Sequence, residues 1–132
     1  MAKQDEPAGL SPAQMEIMNA VWSRPGGATV AEVWRELSAR RRVARNTIQT
    51  MLVRLEEKGW LTHREEGAGF RYLARRPRAA TLRRMVGKLV ETAFAGSADS
   101  LVMALLQGRG VSKEEAARIR ALIDEAEKRA KE

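Results

Sequence analysis

Up to Lys58 the apolar residues of this chain recur at helical spacing; at Gly59 that spacing stops. Met15, Met18 and Trp22, with Ile17 and Val21, share one helical face. Val30, Val33, Trp34 and Leu37 form a second set, and Ile48, Met51, Leu52 and Leu55 a third. Beyond Gly59 come two short stretches, Trp60-Leu61-Thr62-His63-Arg64 and Phe70-Arg71-Tyr72-Leu73, rich in aromatic and strand-compatible residues. Glu65-Glu66-Gly67-Ala68-Gly69 separates them, which reads as a β-hairpin with a glycine-rich tip. Past Pro77 the helical spacing returns, with a broad stripe of Leu82, Met85, Val86, Leu89, Val90 and Phe94. The order is therefore three helices, a hairpin and then three more helices.

Local signals place the boundaries. Ser11-Pro12-Ala13-Gln14 combines a capping box with a helix-starting proline, and Pro25-Gly26-Gly27 ends that helix. Thr29-Val30-Ala31-Glu32 is a second capping box, opening a helix that runs to about Ala39. Arg40-Arg41-Arg42-Val43-Ala44 is a basic connector. Asn46, with Gln49 three residues on, predicts an N-cap and a third helix over roughly 46–58, closed by Gly59. Gly96-Ser97 breaks the fourth helix. Leu101, Val102, Leu105 and Leu106 suggest a short fifth, ended near Gly108-Arg109-Gly110. Ser112-Lys113-Glu114-Glu115 is a further capping box before a last helix marked by Ile119, Leu122, Ile123 and Ala126.

The expected fold is mainly α with a small β-hairpin: an N-terminal winged helix-turn-helix followed by a helical dimerisation region. The second and third helices form the turn unit, and the hairpin is the wing. The expected boundaries are a flexible arm over 1–9, a winged-helix domain over 10–76 and the helical region over 77–132. About 55 residues in three striped helices would be marginal alone. Burying the stripe against a second copy solves this, so Leu82, Met85, Val86, Leu89, Phe94, Leu101, Leu105 and Leu122 are the expected dimerisation residues.

Charge points to the partner. Lys plus Arg number 24 against 17 Asp plus Glu, a net of +7 over 132 residues. Residues 40–84 hold 13 basic and 4 acidic residues, so one continuous stretch carries all of the excess. Most of its cations are arginine, the side chain suited to phosphates and guanine edges, so a polyanion is the expected partner. With no cysteine and a single histidine, disulfides, thiolate metal sites and multi-histidine sites are excluded, and no cofactor is expected. No apolar run reaches the ~18 residues of a membrane span, and the polar start lacks a signal-peptide stretch; the expectation is a cytoplasmic protein without membrane association.

The third helix offers the reading face. With Ile48, Met51, Leu52 and Leu55 turned inward, Arg45, Asn46, Thr47, Gln49, Thr50, Val53 and Arg54 point outward or flank, with no acid before Glu56. Asn and Gln can bond adenine bidentately, Thr can touch a base or a thymine methyl, and Arg can read guanine or hold phosphate. The hairpin adds Arg64 and Arg71, while Glu65 and Glu66 should keep their side of the tip away from phosphate. His63 reads as an ordinary strand residue, and Trp22, Trp34 and Trp60 as core. No serine–histidine–carboxylate set or paired-carboxylate motif stands out, so no enzymatic activity is expected. A protein-interaction adaptor meeting an acidic partner is the alternative to a DNA-binding protein.

Leu10-Ser11-Pro12-Ala13-Gln14-Met15-Glu16-Ile17-Met18, Val21-Trp22, Thr29-Val30-Ala31-Glu32-Val33, the run from Asn46 to Gly59 and the wing Gly69-Phe70-Arg71-Tyr72 occur in one order. This ordered set resembles the penicillinase-repressor family (BlaI/MecI, with CopY as a relative), and the likeness continues through Gly96-Ser97, Ser100-Leu101-Val102 and the helix from Ser112 to Ile123. The resemblance implies a homodimeric repressor of palindromic operators on double-stranded DNA, controlling antibiotic-resistance or stress genes. Carried over, Asn46, Thr47, Gln49 and Thr50 would read bases, Arg45 and Arg54 would flank them, and Arg71 would hold phosphate from the wing. The copper-responsive members carry a cysteine-rich C-terminal motif that this chain lacks. The β-lactam members are released by cleavage at an Asn–Phe bond; here the matching stretch is Val102-Met103-Ala104-Leu105.

Overall fold

A computed structural model describes Pro7 and residues 9–131; the arm expected over 1–9 lies outside these apart from Pro7 and Gly9. The order is α1 (Pro12–Trp22), β1 (Ala28–Thr29), α2 (Val30–Ser38), α3 (Arg45–Glu57), β2 (Leu61–Glu66), β3 (Gly69–Ala74), α4 (Arg78–Thr92), α5 (Ala98–Gln107) and α6 (Lys113–Lys131). The chain divides into two compact units within α4, between Arg83 and Arg84.

In the first unit α1, α2 and α3 close on a single core. Ile17, Met18 and Val21 from α1, Val33 and Leu37 from α2, and Ile48, Leu52 and Leu55 from α3 are all buried, with Leu61 and Tyr72 from the sheet. Met51, expected among them, is only partly buried at the core's edge. The three tryptophans belong to this body as expected: Trp60 is buried, and Trp22 and Trp34 pack against the core while donating their indole N–H groups to the carbonyls of Arg76 and Val43, both at 2.9 Å. A half-buried indole stays satisfied only with such a partner.

The first two capping boxes form as read. Gln14 N–H donates to Ser11 Oγ at 3.2 Å and Ser11 N–H to Gln14 Oε1 at 2.9 Å; Glu32 N–H and Thr29 N–H exchange the same pair of bonds at 3.2 and 2.9 Å. The third N-cap differs. Ala44, not Asn46, holds it, without a side-chain bond, because the N–H groups of Thr47 and Ile48 already turn back to the Ala44 carbonyl. Asn46 is thereby in the first turn, its amide unused for capping. The Ser112 box is half formed: Glu115 N–H reaches Ser112 Oγ at 3.0 Å, while the Glu115 carboxylate meets Arg109 at 3.4 Å.

The end of α3 shows why Gly59 terminates it. Gly59 N–H bonds the Glu56 carbonyl and Trp60 N–H the Leu55 carbonyl, a Schellman arrangement that needs the positive φ of +93° at Gly59. The chain then enters an antiparallel sheet ordered β1-β3-β2. The hairpin pairs from Leu61↔Ala74 out to Glu66↔Gly69, so its strands are longer than the sequence suggests and its connecting turn is only Gly67-Ala68. β1 is absent from the sequence reading. It has two residues, pairing Ala28↔Tyr72 and Thr29↔Arg71, and no periodicity can announce a strand that short.

The second unit is built differently. Neither α5 nor α6 contains a buried residue. Met85, Val86, Leu89, Leu105 and Leu122 are exposed, Leu122 by 69%, whereas Phe94 and Leu101 are half-buried. Leu82, expected with them, falls on the first unit's side of the division and is half-buried.

Candidate nucleic-acid interface

The buried side of α3 fixes its outer side. With Ile48, Leu52 and Leu55 at full burial, Arg45, Asn46, Thr47, Gln49, Thr50 and Arg54 are all exposed. None of these six side chains is held by a hydrogen bond or ion pair to another described residue. Polar groups on a packed helix, free of internal partners, are available to a ligand. Val53, also outward, is 41% exposed and adds an apolar spot among them.

Two shallow concavities flank this face. One lies between α3 and the start of α1, lined by Ser11 and Gln14 together with Asn46, Thr50 and Arg54. The other lies between α3, the start of α2 and the wing, bringing Arg45 and Gln49 opposite Gly67, Gly69 and Phe70. The placement of Ser11 and Gln14 beside the outer face of α3 escapes the sequence, where they read only as a cap.

The basic stretch is less free than its charge suggests. Arg40 pairs with Glu36 at 3.1 Å and Arg41 with Glu16 at 2.7 Å, while Glu36 also receives Arg24 at 2.7 Å. On the wing, Arg64 is 59% exposed and lies 3.8 Å from Glu66. Arg71, expected to reach phosphate, turns inward instead. Its side chain is 19% exposed and donates to Glu66, to Glu32 and to the Gly27 carbonyl. These bonds hold the Glu66 carboxyl below its ordinary range. Glu32 is lowered too, first by the Thr29 backbone N–H it accepts and then by Arg71 and Arg24. His63 is a strand residue as read, but not an idle one: Nδ1 lies 2.7 Å from the Glu56 carboxylate of α3, and the ring lies 4.3 Å from that of Phe70. Among the described residues no group of histidines and carboxylates could hold a metal ion, and no helix is long and apolar enough to cross a membrane.

The chain is similar to known proteins. The penicillinase repressor family model matches residues 10–125. The penicillinase repressor of Bacillus licheniformis is 30% identical over 123 residues, covering 93% of this chain and 95% of that protein. The methicillin resistance regulatory protein MecI of Mammaliicoccus sciuri is 22% identical over 115 residues, covering 87% of this chain and 93% of that protein. The solution structure of the DNA-binding domain of the repressor BlaI is similar with a TM-score of 0.50 and 35% identity, covering 56% of this chain and 89% of the domain. With a family match from Leu10 onward and a relative aligned over nearly all of both chains, this winged-helix protein belongs to the penicillinase repressor family, a family of DNA-binding transcriptional repressors and not of enzymes.

Proposed function

We propose that the chain is a cytoplasmic, homodimeric repressor that reads palindromic operators through α3, at genes of antibiotic resistance or stress response. The observation that carries the base-reading part is the outer face of α3: six exposed polar or basic side chains with no partner among the described residues. Asn46, Thr47, Gln49 and Thr50 have the donors and acceptors for base edges in a major groove, and Arg45 and Arg54 stand at the margins where phosphates run. Arg64 meets the backbone from the wing. The surplus of nine positive charges over residues 40–84 supplies sequence-independent attraction.

The dimer is supported by the second unit. Apolar residues spaced along α4 and α5 lie in solvent in the single chain, and two helices contain no buried residue at all. A second copy of the same stripe is a self-complementary cover, and a two-fold axis would space two reading helices by one turn of DNA or a multiple of it. Footprinting on the promoter of the protein's own gene tests the reading. A protected two-fold symmetric site, bound more tightly than random duplex at equal salt, is the expected result; equal affinity for all duplexes would overturn operator recognition.

A further inference from the structure

Beyond the first turns of the sheet, the wing is a two-stranded ribbon. β1 pairs with β3 only at Tyr72 and Arg71, whose β2 partners are His63 and Arg64, so residues 65–70 extend without a third strand. Isolated hairpins are marginally stable and twist readily. Side chains brace this one on both faces. On one, His63 ties β2 to Glu56 of α3. On the other, the guanidinium of Arg71 joins four segments. Nε donates to both Glu66 oxygens at 2.9 Å and Nη2 to Glu66 at 2.7 Å, near the tip. Nη1 donates to the Gly27 carbonyl ahead of β1 at 3.1 Å and to Glu32 in the first turn of α2 at 3.3 Å. This guanidinium is committed to two carboxylates and a carbonyl, so it is not the group presented to a phosphate. Its cross-strand partner is Arg64, on the same face and three times as exposed.

We propose that Arg71 is a positioning residue: its fork fixes the wing to the start of α2 so that Arg64 is held against the DNA backbone. The inference rests on the reading of the wing as a phosphate contact. Lysine offers a point charge and cannot span this set of acceptors in one plane, so charge alone does not replace the fork.

The test uses the full-length protein and a mixed-sequence DNA duplex, with affinity followed by fluorescence anisotropy across a salt series. Arg64→Ala should flatten the log–log salt slope by about 0.9 for each wing engaged. Arg71→Lys should flatten it equally although the charge is retained, and the double variant should be no flatter than either single one. Because the slope is read on folded protein, a loss of global stability does not mimic this result. Amide exchange in residues 62–70 should quicken in Arg71→Lys while α3 keeps its protection. A wild-type slope in Arg71→Lys, an additive double variant, or unchanged wing exchange would each overturn the positioning role. If Arg64→Ala leaves the slope untouched, the wing reading itself fails, and the inference with it.

Discussion

At Gly27 the backbone carries a φ of +87°, and a Cβ there would stand 2.4 Å from the Tyr72 carbonyl oxygen. The same peptide supplies the carbonyl that receives Arg71. Gly27→Ala should therefore combine a left-handed backbone penalty with a clash against β3, at least ~2 kcal/mol in all. For a domain of this size that lowers the melting temperature on the order of 10 °C; an unchanged melt would show that β1 and β3 separate freely. Gln49 and Thr47 are the opposite kind of residue, exposed and unengaged. Replacing either with alanine should leave stability within about 0.5 kcal/mol. It should cost about 1–3 kcal/mol on the cognate site and much less on random duplex. Equal losses on both duplexes would make them phosphate contacts. The outer face of α3 was legible in the sequence because helical spacing alone sorts its residues. The inward turn of Arg71 was not, because Glu32 and Gly27 lie about forty positions away in the chain.

The wing shows how charges on facing strands hold an element. Glu66 has a carboxyl lowered from 4.5 by hydrogen bonds from Arg71. A carboxyl whose pKa falls on folding contributes stability that is complete above its unfolded value and is lost as the pH drops through the folded one. Glu66→Gln should therefore melt below the parent protein at pH 7, and the gap should close as the pH is taken below 4.5. Thermal melts of both proteins at pH 7 and in acid check this; a gap that persists in acid would assign the difference to shape rather than charge. α5 supplies a second case. Ala104 and Leu105 lie within a continuous helix whose Val102, Met103 and Leu105 are exposed in the single chain. In the single chain its backbone is protected by helical hydrogen bonding. A sensor protease specific for Asn–Phe should still leave the chain intact, since neither residue type stands at this bond. A cut between Ala104 and Leu105, seen by mass spectrometry after co-expression, would contradict that.

The two units differ in what they bury. The first has a closed core of α1, α2, α3 and the sheet; the second exposes the apolar residues of its own helices. A full-length protein carrying Met85→Glu and Leu89→Glu should sediment as a monomer at micromolar concentration while the parent sediments as a dimer. Its affinity for a two-half-site duplex should fall well below the parent's, because the second reading helix no longer binds at high effective concentration. Its affinity for a half-site should be unchanged. A parent protein that is monomeric at micromolar concentration would remove the dimer from the proposal.

Helix identity, the switch to strands at Gly59 and the caps at Ser11 and Thr29 follow from the sequence alone, since each depends on residues within a turn or two of one another. So does the division of α3 into an apolar and a polar face, which needs only the 3.6-residue period. The short β1, the place of Ser11 and Gln14 beside α3 and the commitment of Arg71 were decided by tertiary structure. These depend on which distant segments arrive within hydrogen-bonding reach. Local spacing records how a residue faces its own helix or strand; it carries no record of the carboxylate that folding brings to an arginine from another part of the chain.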